Sequence, residues 1–322
     1  MCRRDLGNQF GTMLRPTAKP WFHLQRRFVE KEDNEARRFL EHFEVVQRRA
    51  MYDPISMFNR ATKEGDHDFA AFGQCVISVE VNNDSSYGQH LLYRCWHLRD
   101  VAWQENEAGR VGCVFRKWKT SVKTICQIFE GKGKTVHKHL TDMNKKTPFE
   151  EFEIMHMVVD AEMFDDEAKG RPRWSIWYDF TNDQIMEATP IWGKFYVVPR
   201  WQTVSNSQYS YSPATVAALP DARLIQAMTF TLLEAGEKAT SPPMVATVDA
   251  VRSDVNLFAG GITWVDQEYD ERLGDALRPI TQDFRGFQFG VQMVQDTRGM
   301  IRDAFYLNTL IMPQRTQEMT AY

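Results

Sequence analysis

No stretch of the 322-residue chain approaches the roughly 18 consecutive apolar residues that a membrane-spanning helix needs, and no secretory signal opens it. Paired cysteines are missing as well. The five that occur (Cys2, Cys75, Cys95, Cys113 and Cys126) are odd in number and widely spaced, which argues against a disulfide framework and implies reduced thiols in a cytoplasmic setting. Basic charge is not in excess: 39 Lys and Arg face 43 Asp and Glu, for a net charge of −4. Non-specific affinity for nucleic acid comes mostly from Lys and Arg neutralising phosphates, so this balance argues against a tight general DNA or RNA binder. It leaves room for a protein that DNA must pass without sticking. Catalytic signatures are also absent: there is no Gly-x-Ser-x-Gly elbow and no His-Glu-x-x-His pair.

What is present is ordinary for a folded chain of about two domains, 43% hydrophobic and 25% charged, with 21 Phe, 10 Tyr and 9 Trp to fill cores or interfaces. The first 27 residues read as extended, basic and punctuated by proline around Trp21-Phe22. Ala36, Phe39, Phe43, Val46 and Ala50 then fall at spacings of three and four, one face of a helix over 31–50. Asp53-Pro54 predicts the start of a second helix, to about Lys63. From Gln74 the period changes to two. The stretches QCVISVEVN, HLLYRCWHL, VAWQEN, RVGCVFRKW, FEIMHMVV, RWSIWYDF, QIMEA and KFYVVPRW read as strands, with Thr181-Asn182-Asp183 as a hairpin turn and Ser121 capping a short helix through Phe129.

The character changes at YSYSPATVAALP, residues 209–220. Ser212 is a good N-cap and Pro213 suits the first helical position, whereas Pro220 removes a backbone donor, so a helix begun at 213 should kink or restart there. Beyond it Ile225, Met228, Leu232, Ala235 and Ala239 form a three-four seam, which Ser241-Pro242-Pro243 ends. MVATV and LFAGGITWV suggest short strands in a small module. A second long helix is expected over 282–308, with Phe284, Phe287, Val291, Val294, Ile301 and Phe305 on one face. Gly286, Gly290 and Gly299 each cost roughly 1 kcal/mol inside a helix and make sense where another backbone comes close. Helix out, small module, helix back describes a stalk on a β-rich body, an α+β chain. Between Asp221 and Asp283, eleven acidic residues oppose five basic ones, a difference of −6 that exceeds the net charge of the whole chain.

Three sets look chemical and are discounted. Glu130-Gly131-Lys132-Gly133-Lys134-Thr135 resembles a phosphate loop, but the glycine required upstream is Ile128. Cys113, Cys126, His137 and His139 lack the close pairing of zinc ligands. Asp266, Glu268, Asp270 and Glu271 have no nearby histidine or lysine to complete an acid-base site. No catalytic residue, cofactor or metal is expected.

The segment 209–243, YSYSPATVAALPDARLIQAMTFTLLEAGEKATSPP, resembles the portal (head-to-tail connector) proteins of short-tailed bacteriophages. So do RPTAKPWFHL, DFAAFGQCVISVE, ENEAGRVGCVFRKWKTS and FAGGITWV, in family order along almost the whole chain. The resemblance implies a portal fold: a β-rich wing (1–212), a two-helix stem (213–240 and 281–308), a small β-containing clip (241–280), and a tunnel loop with the start of a following helix (309–322). It implies a dodecameric ring at one capsid vertex of the virion, assembled in the bacterial host cytoplasm. Double-stranded DNA would pass through its channel without sequence specificity. The implied partners are the terminase large subunit during genome packaging, tail adaptor proteins afterwards, and major capsid or scaffold proteins; no membrane is involved. Candidate channel residues are Pro313, Gln314 and Arg315. Candidate stem-packing residues are Ile225, Met228, Leu232, Phe287, Gly290, Val291 and Val294. The sequence departs from the family in two ways: Tyr211-Ser212-Pro213 lacks the glycine and arginine usual before the first stem helix, and the chain reaches Tyr322 before any crown, so residues are expected to be missing at one or both ends. The alternatives are another ring-forming virion or adaptor protein and, more remotely, a nuclease working through Asp266 and Glu268.

Overall fold

The period-two stretches form antiparallel sheets because alternate side chains can be buried while backbone groups pair sideways. The computed structural model describes residues 1–17, 19–27, 33–84, 88–130, 134–164, 170–205, 207–246, 277–279 and 285–309. They fall into two units, one of Met1–Val216 with Phe305–Tyr322, the other of Ala217–Ala304. Helix and sheet are mixed, as an α+β chain requires.

The first unit opens with helices α1 (Cys2–Leu14), α2 (Asn34–Tyr52) and α3 (Phe58–Phe72). Strands β1 (Val76–Asp84), β2 (Gly88–Trp96), β3 (Val101–Glu105) and β4 (Val111–Ser121) follow, then α4 (Val122–Ile128) and α5 (Lys138–Lys146). The rest is β5 (Glu151–Asp160), β6 (Arg173–Asp179), β7 (Gln184–Ile191), β8 (Tyr196–Val197), β9 (Gln202–Thr203) and β10 (Ser210–Tyr211). Strands β3 to β7 make a five-stranded meander in sequence order; β2, β1 and β8 make a three-stranded sheet, and β9 pairs β10.

Several expectations are corrected. The start of the chain is helical, not extended. Two glycines one turn apart let α1 lie close on α3: a Cβ on Gly7 would sit 2.6 Å from His67 Nδ1, and one on Gly11 would lie 3.6 Å from Asp66. Arg15 then pairs with the buried Asp66, whose pKa burial pushes up against the pull of that arginine. Asp53-Pro54 starts a single turn at Pro54–Ser56, and left-handed Met57 (φ 56°) precedes a longer α3 than expected. The α2 helix forms, but its stripe of Phe39, Phe43 and Val46 is exposed; Glu44 and Arg48, on the opposite side, hold the chain at Leu24 and Thr17. KFYVVPRW gives only the two-residue β8, and the segment after Glu130 contains α5, which no apolar period announces.

One face of the meander carries two apolar clusters. Val101, Trp103, Val114, Val158 and Ile191 pack with Val76 and Tyr196 of the smaller sheet. Val122, Ile125, Phe129 and Leu140 of α4, its C-cap and α5 pack with Ile154 and Met186. Between them along β4 and β5 lie two polar side chains, Arg116 (2% exposed) and His156 (1% exposed). Arg116 Nε donates to Tyr196 Oη at 2.7 Å, and its guanidinium carbon lies 3.7 Å from the centre of the Trp96 ring. Tyr196 therefore directs its own proton to His156 Nδ1 at 2.5 Å, leaving Nε2–H to donate to Ser175 Oγ at 2.9 Å. This network ties the meander to β8 and β2.

Burial, reinforced by the Arg116 charge, pushes the His156 pKa down from 6.5 to about 3. The imidazole is neutral in the fold and takes a proton on unfolding once the pH is below 6.5. Stability contributed by the network is therefore complete above that value and declines as pH falls toward 3, by up to about 1.4 kcal/mol per pH unit. His156→Asn should flatten that slope between about pH 6 and 4 in denaturant titrations; a variant with the wild-type slope would show that another group carries it.

Candidate assembly surface

The junction leading to the long helix is built from polar side chains bonded to a turn. Gly73 ends α3 in the left-handed region (φ 75°), its N–H donating to Phe69 O at 2.8 Å. Its carbonyl accepts from Trp201 N at 2.7 Å and Ser210 Oγ at 2.6 Å. Ser212 Oγ donates to Ala70 O at 2.9 Å and accepts from Thr215 N at 3.3 Å, which is the capping bond expected of it. Helix α6 (Pro213–Thr240) starts there.

It does not restart at Pro220; α6 is one helix with that proline inside it. The lost hydrogen bond is the one to Val216 O. Val216 is 55% exposed and Pro220 is exposed too, so water can satisfy the freed carbonyl.

The second unit holds most of α6, the strands β11 (Met244–Ala246) and β12 (Leu277–Pro279), which pair antiparallel, and α7 (Arg285–Ala304). Helix α7 is shorter than expected: residues 280–284 lie outside the described set, and Phe305–Thr309 is turn, with Tyr306 left-handed at φ 56°. Gly290 faces α6, and a Cβ there would lie 2.9 Å from Leu232 Cδ2. Val294 and Thr297, on the same side of α7, are buried. Ile225, Met228 and Leu232 are half-buried, whereas Phe287 and Val291 stand 39% and 38% exposed. Gly286 and Gly299 have nothing within 4 Å of an added Cβ, so Gly290 alone of the three sits at a close approach within the described chain.

Much apolar surface of this unit is left uncovered. Leu224, Phe230 and Leu233 on α6 are exposed, as are Phe289, Met293 and Met300 on α7. Large apolar side chains left exposed along the mostly apolar α6 and on the amphipathic α7 are of the kind that a neighbouring surface normally covers.

Lys134 is occupied by Ile128 O at 3.0 Å and by an ion pair with Glu187 at 3.3 Å, not free to cradle a phosphate. His137 caps α5 through His139 N. Among the described residues no three His, Cys, Asp or Glu side chains come together as a metal site, and no helix there is long and apolar enough to cross a membrane. Asp266, Glu268, Asp270, Glu271, Pro313, Gln314, Arg315 and most of 241–280 lie outside the described residues.

Comparison with known proteins identifies the family. The model of the bacteriophage head to tail connecting protein family matches residues 1–322. The chain belongs to that family. A portal protein of Salmonella phage epsilon15 is 22% identical over 98% of this chain and 56% of its own length. The connector chain thus spans little more than half of that relative. Sequence reasoning found the capped start of α6 through Ser212-Pro213, but it missed Gly73. The only signal for Gly73 was a glycine closing a helix directly before a strand.

Proposed function

We propose that the chain is a structural portal subunit and not a catalyst. Copies of it form a ring around a DNA channel at one capsid vertex. The ring docks the terminase motor while the genome is packaged and the tail adaptor afterwards. Two observations together support this: the connector family matched across the whole chain, and a two-helix unit whose large apolar side chains are left exposed among the described residues. In this reading residues 1–212 are the wing, α6 and α7 the stem, 241–280 the clip, and Pro313, Gln314 and Arg315 line the tunnel loop. Phe287 and Val291, with the open backs of Gly286 and Gly299, face a neighbouring stem.

The acidic stretch between Asp221 and Asp283 suits a passive pore. Duplex DNA carries roughly one negative charge per 1.7 Å, so a weakly repelling wall keeps motor work in translocation instead of in breaking contacts. Sedimentation of the purified chain tests the assembly: one species many-fold heavier than a subunit is expected, and a persistent monomer at micromolar concentration overturns the proposal.

A further inference from the structure

Between Lys117 and Lys146 the sequence carries eight lysines against Glu130 and Asp142, inside a chain that is acidic overall. The structure sorts the described ones into two groups. Lys117, Lys119 and Lys134 are paired, with Glu153 at 3.1 Å, Glu151 at 2.5 Å and Glu187 at 3.3 Å. Lys123 on α4 and Lys138, Lys145 and Lys146 on α5 are exposed and have no carboxylate at ion-pair distance among the described residues.

These four share one surface. Lys123 N donates to Pro148 O at 2.9 Å, which sets α4's first turn beside the end of α5, where Lys145 and Lys146 lie. Lys138 is two turns back, about 10 Å along the axis and on the side away from buried Leu140. Phe149, 78% exposed, stands beside Lys123, whose Nζ is 5.7 Å from the ring centre. The acids at this surface are Glu130, Asp142 and Glu150, the last accepting from Thr147 Oγ1 at 2.8 Å. The unpaired lysines outnumber them.

We propose that the α4–α5 surface binds the phosphate backbone of double-stranded DNA without sequence preference. Lysines held apart on a rigid pair of helices act as point charges for phosphates, and each contact releases counterions. One copy binds weakly; copies repeated around an assembly bind by avidity.

The test is fluorescence anisotropy with a mixed-sequence duplex of about 30 base pairs between about 50 and 200 mM salt. Replacing Lys123, Lys138, Lys145 and Lys146 together by Gln should flatten the plot of log affinity against log salt by about 3 to 4 units and weaken low-salt binding at least roughly tenfold. Replacing paired Lys117 and Lys119 by Gln should change the slope by less than about one unit, with circular dichroism confirming that both variants fold. An unchanged slope in the fourfold variant overturns the proposal. So does tighter binding of a polyglutamate chain of matched charge, which would assign the surface to an acidic polypeptide. The readout is DNA affinity, so its failure leaves ring formation untouched.

Discussion

Gly73→Ala destabilises the β-rich unit by at least about 3 kcal/mol, the largest effect expected from adding one methyl group anywhere in the described chain. The new Cβ would lie 2.1 Å from the carbonyl carbon of Tyr211 and 2.4 Å from Ser212 N, both backbone atoms that cannot swing aside. The left-handed φ of 75° adds a strain of its own. Relief would mean separating the end of α3 from the start of α6, and so losing the bonds that Ser210 and Ser212 make to Gly73 O and Ala70 O. For a unit of this size the melting temperature should fall by about 10 °C. Gly88→Ala and Gly109→Ala are the controls: both glycines are left-handed (φ 72° and 66°) with nothing within 4 Å of an added Cβ. They should cost only about 1 kcal/mol, and a Gly73→Ala no worse than these would show that the close approach is unimportant.

If the chain assembles as proposed, Gly290→Leu should abolish ring formation while leaving the β-rich unit folded. Leu232 can yield by a few tenths of an ångström to an alanine at 290, because Cδ2 is the far end of a flexible side chain. A leucine there displaces Leu232 altogether and forces α6 and α7 apart along their shared side, where Val294 and Thr297 are buried. Gly290→Ala should assemble and Gly290→Leu should not. Negative-stain images of normal rings from the leucine variant would reject the assignment of this contact to the stem.

Most strands were legible because a half-buried strand writes its burial as alternation, as Val101 and Trp103 do in β3. The start of α6 was legible because Ser212 and Pro213 are chosen by the backbone itself. Three features were not. Helix α1 was hidden because Gly7 and Gly11, costly inside a helix by propensity, are the residues that let it approach α3. Arg116 and His156 occupy inward strand positions where the pattern calls for apolar residues, and only the partners Tyr196, Ser175 and Trp96 make their burial tolerable. Pro220 reads as a kink or a restart, yet α6 runs through it because an exposed turn gives the freed carbonyl to water. Spacing alone gave Ile225, Met228 and Leu232 one helix face. Which residues meet within one chain was not legible: spacing specifies a helix face but not what covers it, and Gly290 meets Leu232 while Phe287 stays exposed.

Symmetry-resolved electron microscopy of the purified particle bears most directly on the portal reading. A closed twelve-fold ring with a central channel wide enough for duplex DNA, its wall formed by α6 and α7, is the predicted result. A particle without rotational symmetry, or a ring whose centre is closed by the β-rich unit, would contradict it.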